Sequence, residues 1–381
     1  MDTIAILSPN GQPATQGPGP ANELLVATLK GVSRLTRPSA GGAWTHAAQS
    51  LADLHVSALV REGRSGKLFA GAHGTGGVWV SDDGKGADWR RASNGIDRLD
   101  VYSLAARRIG DKVSIVAGAE PASLYRSDDL GANWRELPAL RGVPGTDKWS
   151  FPPPPHLAHV KCITIHPGHP TTLFACVEQG ALLKSENDGE SWVELTGYVL
   201  ADDLTYHDTH RLEIHPTSHE TIYLTTGLGI NRSDDGGKTW RALSRRGDRL
   251  GYPDFIALDP RTTETVFMAG AAKPPQTWAG DGANPAVLKS TDGGRTWREP
   301  RTGLPTPIVG SIEAMSQHHW AGGSTLMFAT GTGEVYASDS AGESWTRIAS
   351  DLPAVSKAGH YRAFLPGAAA HHARHGMAAF S

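Results

Sequence analysis

SDDLGANW, residues 127–134, is the stretch that decides the fold. Its Ser127, Asp129, Gly131 and Trp134 recur at the same spacing as Ser233, Asp235, Gly237 and Trp240, and again as Ser290, Asp292, Gly294 and Trp297. Two further copies change only the acid: Ser185, Asn187, Gly189 and Trp192, then Ser338, Ser340, Gly342 and Trp345. A sixth, Ser81, Asp83, Gly86 and Trp89, carries one extra residue. Successive Ser positions lie 46, 58, 48, 57 and 48 residues apart, a period that fits one small four-stranded sheet per repeat. Around the Ser185 copy the strands read VKCITIHP (160–167), TLFACVE (172–178), ALLKS (181–185) and SWVEL (191–195). The next repeat follows with RLEIHP, TIYLTTG, GINRS and TWRAL, short β-rich runs divided by turn residues.

The eight-residue pattern reads as a hairpin turn. Ser and Asp side chains bond turn amides, Gly supplies φ > 0, and Trp packs beneath. It resembles the Asp-box (BNR) repeat of sialidases, sortilin-type receptors and related propellers. That resemblance implies an all-β, seven-bladed β-propeller of four-stranded antiparallel blades, with the box turns facing away from the ligand face. Blades 2–7 fall between residues 55 and 351. Residues 23–50 supply three strands of blade 1, and HYRAFL (360–365) is expected to add its innermost strand, closing one propeller over 23–366. Residues 1–22 are expected to be a partly disordered extension and 367–381 a flexible, His-containing tail.

Composition fits that reading. The chain of 381 residues has 45 Gly and 25 Pro, which disfavours long helices, and its 11 Trp outnumber 8 Phe because each box uses one. Net charge is -3, with no basic stripe to follow a phosphate backbone, so nucleic acid is not an expected partner. No run approaches a membrane span, and the opening MDTIAILSPNGQPATQGPGP lacks a basic start and an apolar core of leader type. With Cys162 and Cys176 the only cysteines, a cytoplasmic location is expected, and the two thiols are expected to pack as small apolar groups.

In propellers of this kind the loops entering the innermost strands and those following the second strands open on one face of the central channel. Aligning the starts of the innermost strands places His360, His55, Asp100, His159, Asp208 and Tyr252 at equivalent positions. Two residues on come Arg362, Ser57, Tyr102, Lys161, His210 and Asp254. The second strands end on Lys30, His73, Glu120, Glu178 and Leu228. Small or apolar residues would suit a narrow channel neck; instead most of these are ionisable. Clustered His and carboxylates serve metal coordination, acid/base chemistry or polar-ligand binding. The bland alternative is a water-filled funnel of mutually paired residues. Glu120, Glu178, Asp208 and Tyr252 are the candidate catalytic residues, and His55, His73, His159 and His210 the candidate metal ligands. Asp100, Trp149, His156, Lys161, Trp278 and Arg362 are the candidate substrate-binding residues. The two Trp come from long loops, 138–158 and 271–286, expected to wall a pocket. His318 and His319 are placed in a turn of blade 7.

These residues fit a metal-dependent hydrolase, lyase or oxidase acting on a small polar or saccharide-like molecule, with a divalent ion of unassigned identity. No nucleotide or flavin is expected. Two alternatives stand beside it: a glycosidase using Glu120 and Glu178 without metal, and a binding or scaffold propeller with a protein partner. Exo-sialidase chemistry is not expected, because the Phe-Arg-Ile-Pro stretch is missing and the aligned rings hold one Arg where three must clamp a carboxylate.

Overall fold

The computed structural model describes residues 3–152, 155–199, 207–278 and 282–356. Each box turn closes on its own side chains. Ser233 Oγ donates to Asp235 Oδ1 and accepts the Gly237 N–H, both at 2.8 Å, while the same carboxylate oxygen accepts the Thr239 N–H at 2.8 Å. Hydrogen bonds from the Thr239 hydroxyl and N–H, and then from Ser233, hold the Asp235 carboxyl down to about 2. Gly237 sits at φ 91°, a conformation that glycine takes without strain. The Ser-to-Gly bond recurs in the other five boxes, at 2.8 Å for Ser127, 2.9 Å for Ser185, 2.8 Å for Ser290, 2.9 Å for Ser338 and 3.1 Å for Ser81. The box tryptophans enter the layers between blades. Trp134 packs with Phe69, Val78 and Tyr125, Trp192 with Leu137 and Leu183, and Trp345 with Phe267 and Phe328. Truncating such a residue to Ala costs about 3–5 kcal/mol.

Seven sheets follow in chain order. Blade 1 is built from β1 (Ile4–Leu7), β3 (Glu23–Thr28), β4 (Gly31–Thr36) and β5 (Thr45–Ser50), while β2 (Ala14–Gln16) serves another blade. Blade 2 is β6 (Val56–Arg61), β7 (Leu68–Ala72), β8 (Gly77–Ser81) and β9 (Trp89–Arg91). Blade 3 is β10 (Asp100–Ile109), β11 (Lys112–Glu120), β12 (Ser123–Ser127) and β13 (Arg135–Glu136). Blade 4 is β14 (Val160–Ile165), β15 (Leu173–Val177), β16 (Ala181–Ser185) and β17 (Val193–Glu194). Blade 5 is β18 (Thr209–His215), β19 (Ser218–Thr226), β20 (Gly229–Ser233) and β21 (Arg241–Ala242). Blade 6 is β22 (Tyr252–Leu258), β23 (Val266–Ala271) and β24 (Ala286–Ser290), with a single bridge, Lys289 to Arg298, where the fourth strand would run. Blade 7 is β25 (Ile312–Trp320), β26 (Gly323–Thr330), β27 (Val335–Ser338) and β28 (Thr346–Ala349). The innermost strands β1, β6, β10, β14, β18, β22 and β25 touch in that order, and β25 touches β1 again, so the ring is closed. The chain is a seven-bladed β-propeller.

Closure differs from the expectation for residues 1–22. β1 lies parallel to β3 and holds the innermost place in blade 1; residues 360–365, expected there, lie outside the described residues, as does the 367–381 tail. Ile4–Leu7 is four apolar residues buried on both faces, which is why it is drawn into the ring and not left as an extension. Residues 8–13 then run along the inner edge of β6, where the Asn10 and Gln12 N–H groups bond Ser57 O and Leu59 O at 2.9 Å each. A Cβ on Gly11 would meet Leu59 O at 2.2 Å, so only glycine allows this approach. β2 finally adds in parallel to β25, and Thr15 Oγ1 contacts His318 Nδ1 at 2.8 Å. His318 and His319 therefore lie within a strand and not in the expected turn, and His318 Nε2 meets Gly19 O at 3.0 Å.

Candidate functional site at the channel mouth

The innermost strands do not pair evenly. In β6, β10, β14, β18, β22 and β25 the register against the second strand skips one residue, leaving Ser57, Tyr102, Lys161, His210, Asp254 and Glu313 as bulges. A bulge re-aims the side chain it carries. Here the bulged side chains reach other blades: Lys161 Nζ of blade 4 lies 3.5 Å from Asp254 Oδ1 of blade 6, and His210 Nδ1 of blade 5 bonds Pro253 O of blade 6 at 2.7 Å. Five of these six residues form the second aligned ring of the sequence; Glu313 is an addition. It is fully buried, takes hydrogen bonds from Ser311 and Ser356, and has the same place in blade 7 that Lys161 has in blade 4.

Glu178, at the end of the second strand of blade 4, is the hub. It is 1% exposed, accepts Lys161 Nζ on Oε1, and meets His159 Nε2 at 2.7 Å on Oε2. Burial works to raise its carboxyl, but Lys161 and then His159 outweigh that and hold it well below the usual carboxylate range. Lys161 is raised: burial opposes its charge, while Glu178, Asp254 and Asp208 favour it. On its other ring nitrogen, Nδ1, His159 faces Glu120 Oε2 at 3.3 Å. Burial lowers the His159 pKa, the hydrogen bonds to Glu120 and Glu178 raise it, and the net is upward. Tyr102 stacks on His159 at 3.8 Å and Phe151 meets the same ring edge-on at 5.0 Å. Burial, then Glu120 and Asp100, push the Tyr102 phenol well above its ordinary value.

Beside this hub, His210 Nε2 lies 3.4 Å from Asp208 Oδ1 and 3.8 Å from Glu178 Oε1. Both His210 Nε2 and Asp208 Oδ1 are buried without a hydrogen-bond partner among the described residues. Glu178, Asp208 and His210 each offer a ligand atom within 4.8 Å of the others. Tyr252 covers His210 with ring centroids 4.7 Å apart, and burial, then Asp208, push its phenol well up.

Glu120, Glu178, Asp208, Tyr252, His159, His210 and Lys161 thus lie together at the channel mouth. His55, His73 and Asp100 form the adjoining, more open part: His73 Nδ1 meets Asp100 Oδ1 at 3.0 Å and His55 Nε2 meets Ser356 O at 2.9 Å. The rings of His55, His73, Tyr102 and His159 follow one another at 4.3, 4.1 and 3.8 Å. Three of the four histidines expected as metal ligands therefore lie along this row, and of the four His210 alone belongs to a convergent set. Trp278 does not wall a pocket; it is 1% exposed, packs on Ala271 and Ala283, and donates its indole N–H to Lys273 O at 2.8 Å, closing its own loop. Trp149 is half-buried against the layer between blades 3 and 4. His156 is exposed, with Nδ1 3.0 Å from Phe151 O, and Arg362 lies outside the described residues. Phe151 and Asp254 complete the site beyond the candidate residues; the second aligned ring, which holds Asp254 beside Lys161 and His210, is the signal that finds it.

No protein-family model matches the chain. Among curated proteins it is 25% identical over 194 residues to a probable oligoxyloglucan-reducing end-specific xyloglucanase of Neosartorya fischeri, covering 47% of this chain and 22% of that protein. It is 24% identical over 242 residues to the xyloglucanase Xgh74A of Acetivibrio thermocellus, covering 55% and 26%. The chain spans about a quarter of the length of these relatives. Among solved structures, an ancestral GH74 enzyme superposes with a TM-score of 0.59 at 16% identity, over 78% of this chain and 39% of that one. At that identity the likeness is one of fold.

Proposed function

We propose that the chain is a glycoside hydrolase-like propeller that takes a small, polar, saccharide-like substrate at the channel mouth, with a divalent cation held by Glu178, Asp208 and His210. The observation that carries the cation is the pair of buried atoms without hydrogen bonds, Asp208 Oδ1 and His210 Nε2, 3.4 Å apart beside Glu178. Buried polar atoms of folded proteins are mostly paired, these two converge with Glu178 within 4.8 Å, and mixed imidazole and carboxylate donors suit Zn, Mn or Fe. Charge supports it too, since Glu120, Glu178, Asp208 and Asp254 face one ammonium and two imidazoles. A bound cation supplies a Lewis acid and an acidified water. The protein's own groups do the rest. Asp100 and Glu120 are direct cross-strand partners, the most open acids of the site, and they bind substrate hydroxyls. His73 orients Asp100 and His159 orients Glu120, while the buried rings of Tyr102 and Phe151 hold His159 in place.

The xyloglucanase relatives favour glycoside hydrolysis, and a second reading gives that chemistry to Glu120 and Glu178 as a carboxylate pair without metal. In that reading Glu120 is the proton donor, because both oxygens of Glu178 are engaged by Lys161 and His159. Elemental analysis of untagged protein ending at Ser356, run beside hydrolysis of xyloglucan oligosaccharides, separates the two. The first reading expects one equivalent of metal, lost in Asp208→Asn and kept in His73→Ala. Turnover by metal-free protein transfers the reading to the carboxylate pair, and protein that neither holds metal nor acts on or binds the sugars is a scaffold.

A further inference from the structure

Next to the hub, one residue from Lys161 and two from Glu178, the two cysteines face each other. The register of β14 on β15 pairs Cys162 directly with Cys176. Directly opposed residues on antiparallel strands have Cα atoms about 4.5–5.5 Å apart, inside the roughly 4.4–6.8 Å that a disulfide spans. Both side chains enter the layer between blades 4 and 5 with Phe174, Leu182 and Leu212. The pair is not sealed, because Cys162 lines a cavity of about 630 Å³ along with Thr164, Arg211 and Asn10. The two thiols are also unlike. Cys162 is the one at the cavity wall, 5% exposed against 1% for Cys176.

We propose that Cys162 and Cys176 form a cross-strand dithiol–disulfide couple, with Cys162 the attacking sulfur and hydrogen peroxide the oxidant that reaches it through the cavity. The Cys162 thiolate attacks one peroxide oxygen, the O–O bond breaks, and the departing hydroxide takes a proton and leaves as water, giving a sulfenic acid. The Cys176 thiol attacks that sulfur; an S–S bond forms, the S–O bond breaks, and a second water leaves with the Cys176 proton. Two electrons and two protons pass from the dithiol to peroxide. The new bond pins β14 to β15 next to the Lys161 bulge, fixing the strand separation under Lys161 and Glu178.

The test treats the folded chain with hydrogen peroxide, quenches it, and counts thiols by maleimide labelling and intact mass after unfolding. The expected result is loss of both thiols together, a mass lower by two hydrogens, no intermolecular dimer, and full recovery with dithiothreitol. In Cys176→Ser the reaction stops at a sulfenic acid that dimedone traps, and in Cys162→Ser the remaining thiol survives. Retention of both thiols in wild type, under peroxide that oxidises glutathione in the same tube, overturns the proposal. So does a gain of oxygen without loss of hydrogen, or a disulfide between chains. The wild-type measurement stands even if a serine variant fails to fold.

Discussion

Lys161 holds a full charge inside the protein with 3% of its surface exposed, and it can do so because Glu178 and Asp254 take that charge up. Removing one member of a buried pair leaves the other uncompensated. Lys161→Met is therefore expected to cost about 3–5 kcal/mol in urea unfolding, and Lys161→Met combined with Glu178→Gln to cost less than the sum of the two single changes. His159 gives a pH signature. Its folded pKa lies above the unfolded value of about 6.5, so its contribution is complete below that pH and is lost as pH rises through the folded value. Glu178 acts with the opposite sign, its contribution being complete above about pH 4.3 and lost as pH falls through its depressed value. Unfolding free energy measured against pH is expected to decline on the alkaline side in wild type, and His159→Gln is expected to flatten that limb. If the two limbs coincide, the imidazole is not held charged. These side chains were legible in the sequence as residue types in register. Their pairing was not, since nothing in the spacing tells which nitrogen of His159 meets which carboxylate.

At the level of the element, the box turn and the bulge do different work. The box fixes the outer hairpin, and its serine is the part that is inside: Ser233 is 1% exposed and accepts the Gly237 N–H. Ser233→Ala leaves that amide unpaired, an expected loss of about 1–3 kcal/mol by urea unfolding, with the far-UV spectrum unchanged. The same change at an exposed serine such as Ser39 is expected to stay within about 0.5 kcal/mol. The boxes were readable because their chemistry lies in four side chains at fixed spacing. The bulges were not, because an extra residue in a register is a property of two strands together. Aligning strands by the IHP and LDP endings of blades 4–6, and by apolar pattern elsewhere, nonetheless placed Tyr102, Lys161, His210 and Asp254 in one ring. Glu313 was not among the aligned residues. Trp278 was misjudged, since loop length shows that a tryptophan is near the mouth and not whether it folds back on its own loop.

For the whole molecule, closure depends on residues that read as an extension. β1 is a parallel partner of β3, and a parallel pair carries no hairpin turn to announce it. Deleting residues 1–16 removes the innermost strand of blade 1 and the strand laid on β25, opening the ring at both. Calorimetry is expected to replace one cooperative transition with a broad one at lower temperature, and size-exclusion chromatography to show association through the freed edges. An unchanged sharp transition would mean that the ring closes without them. The timing of that closure follows from the contact between Thr15 and His318, which are 303 residues apart. At about 5–20 residues per second, a ribosome takes about 15–60 s to separate the making of one from the making of the other. During synthesis β1 and β2 must therefore wait, with their apolar faces unpaired, for the seventh blade to emerge. A neighbouring copy on the same messenger could offer its own β25 first, so that exchange of the leading strands between nascent chains is the misassembly this architecture invites.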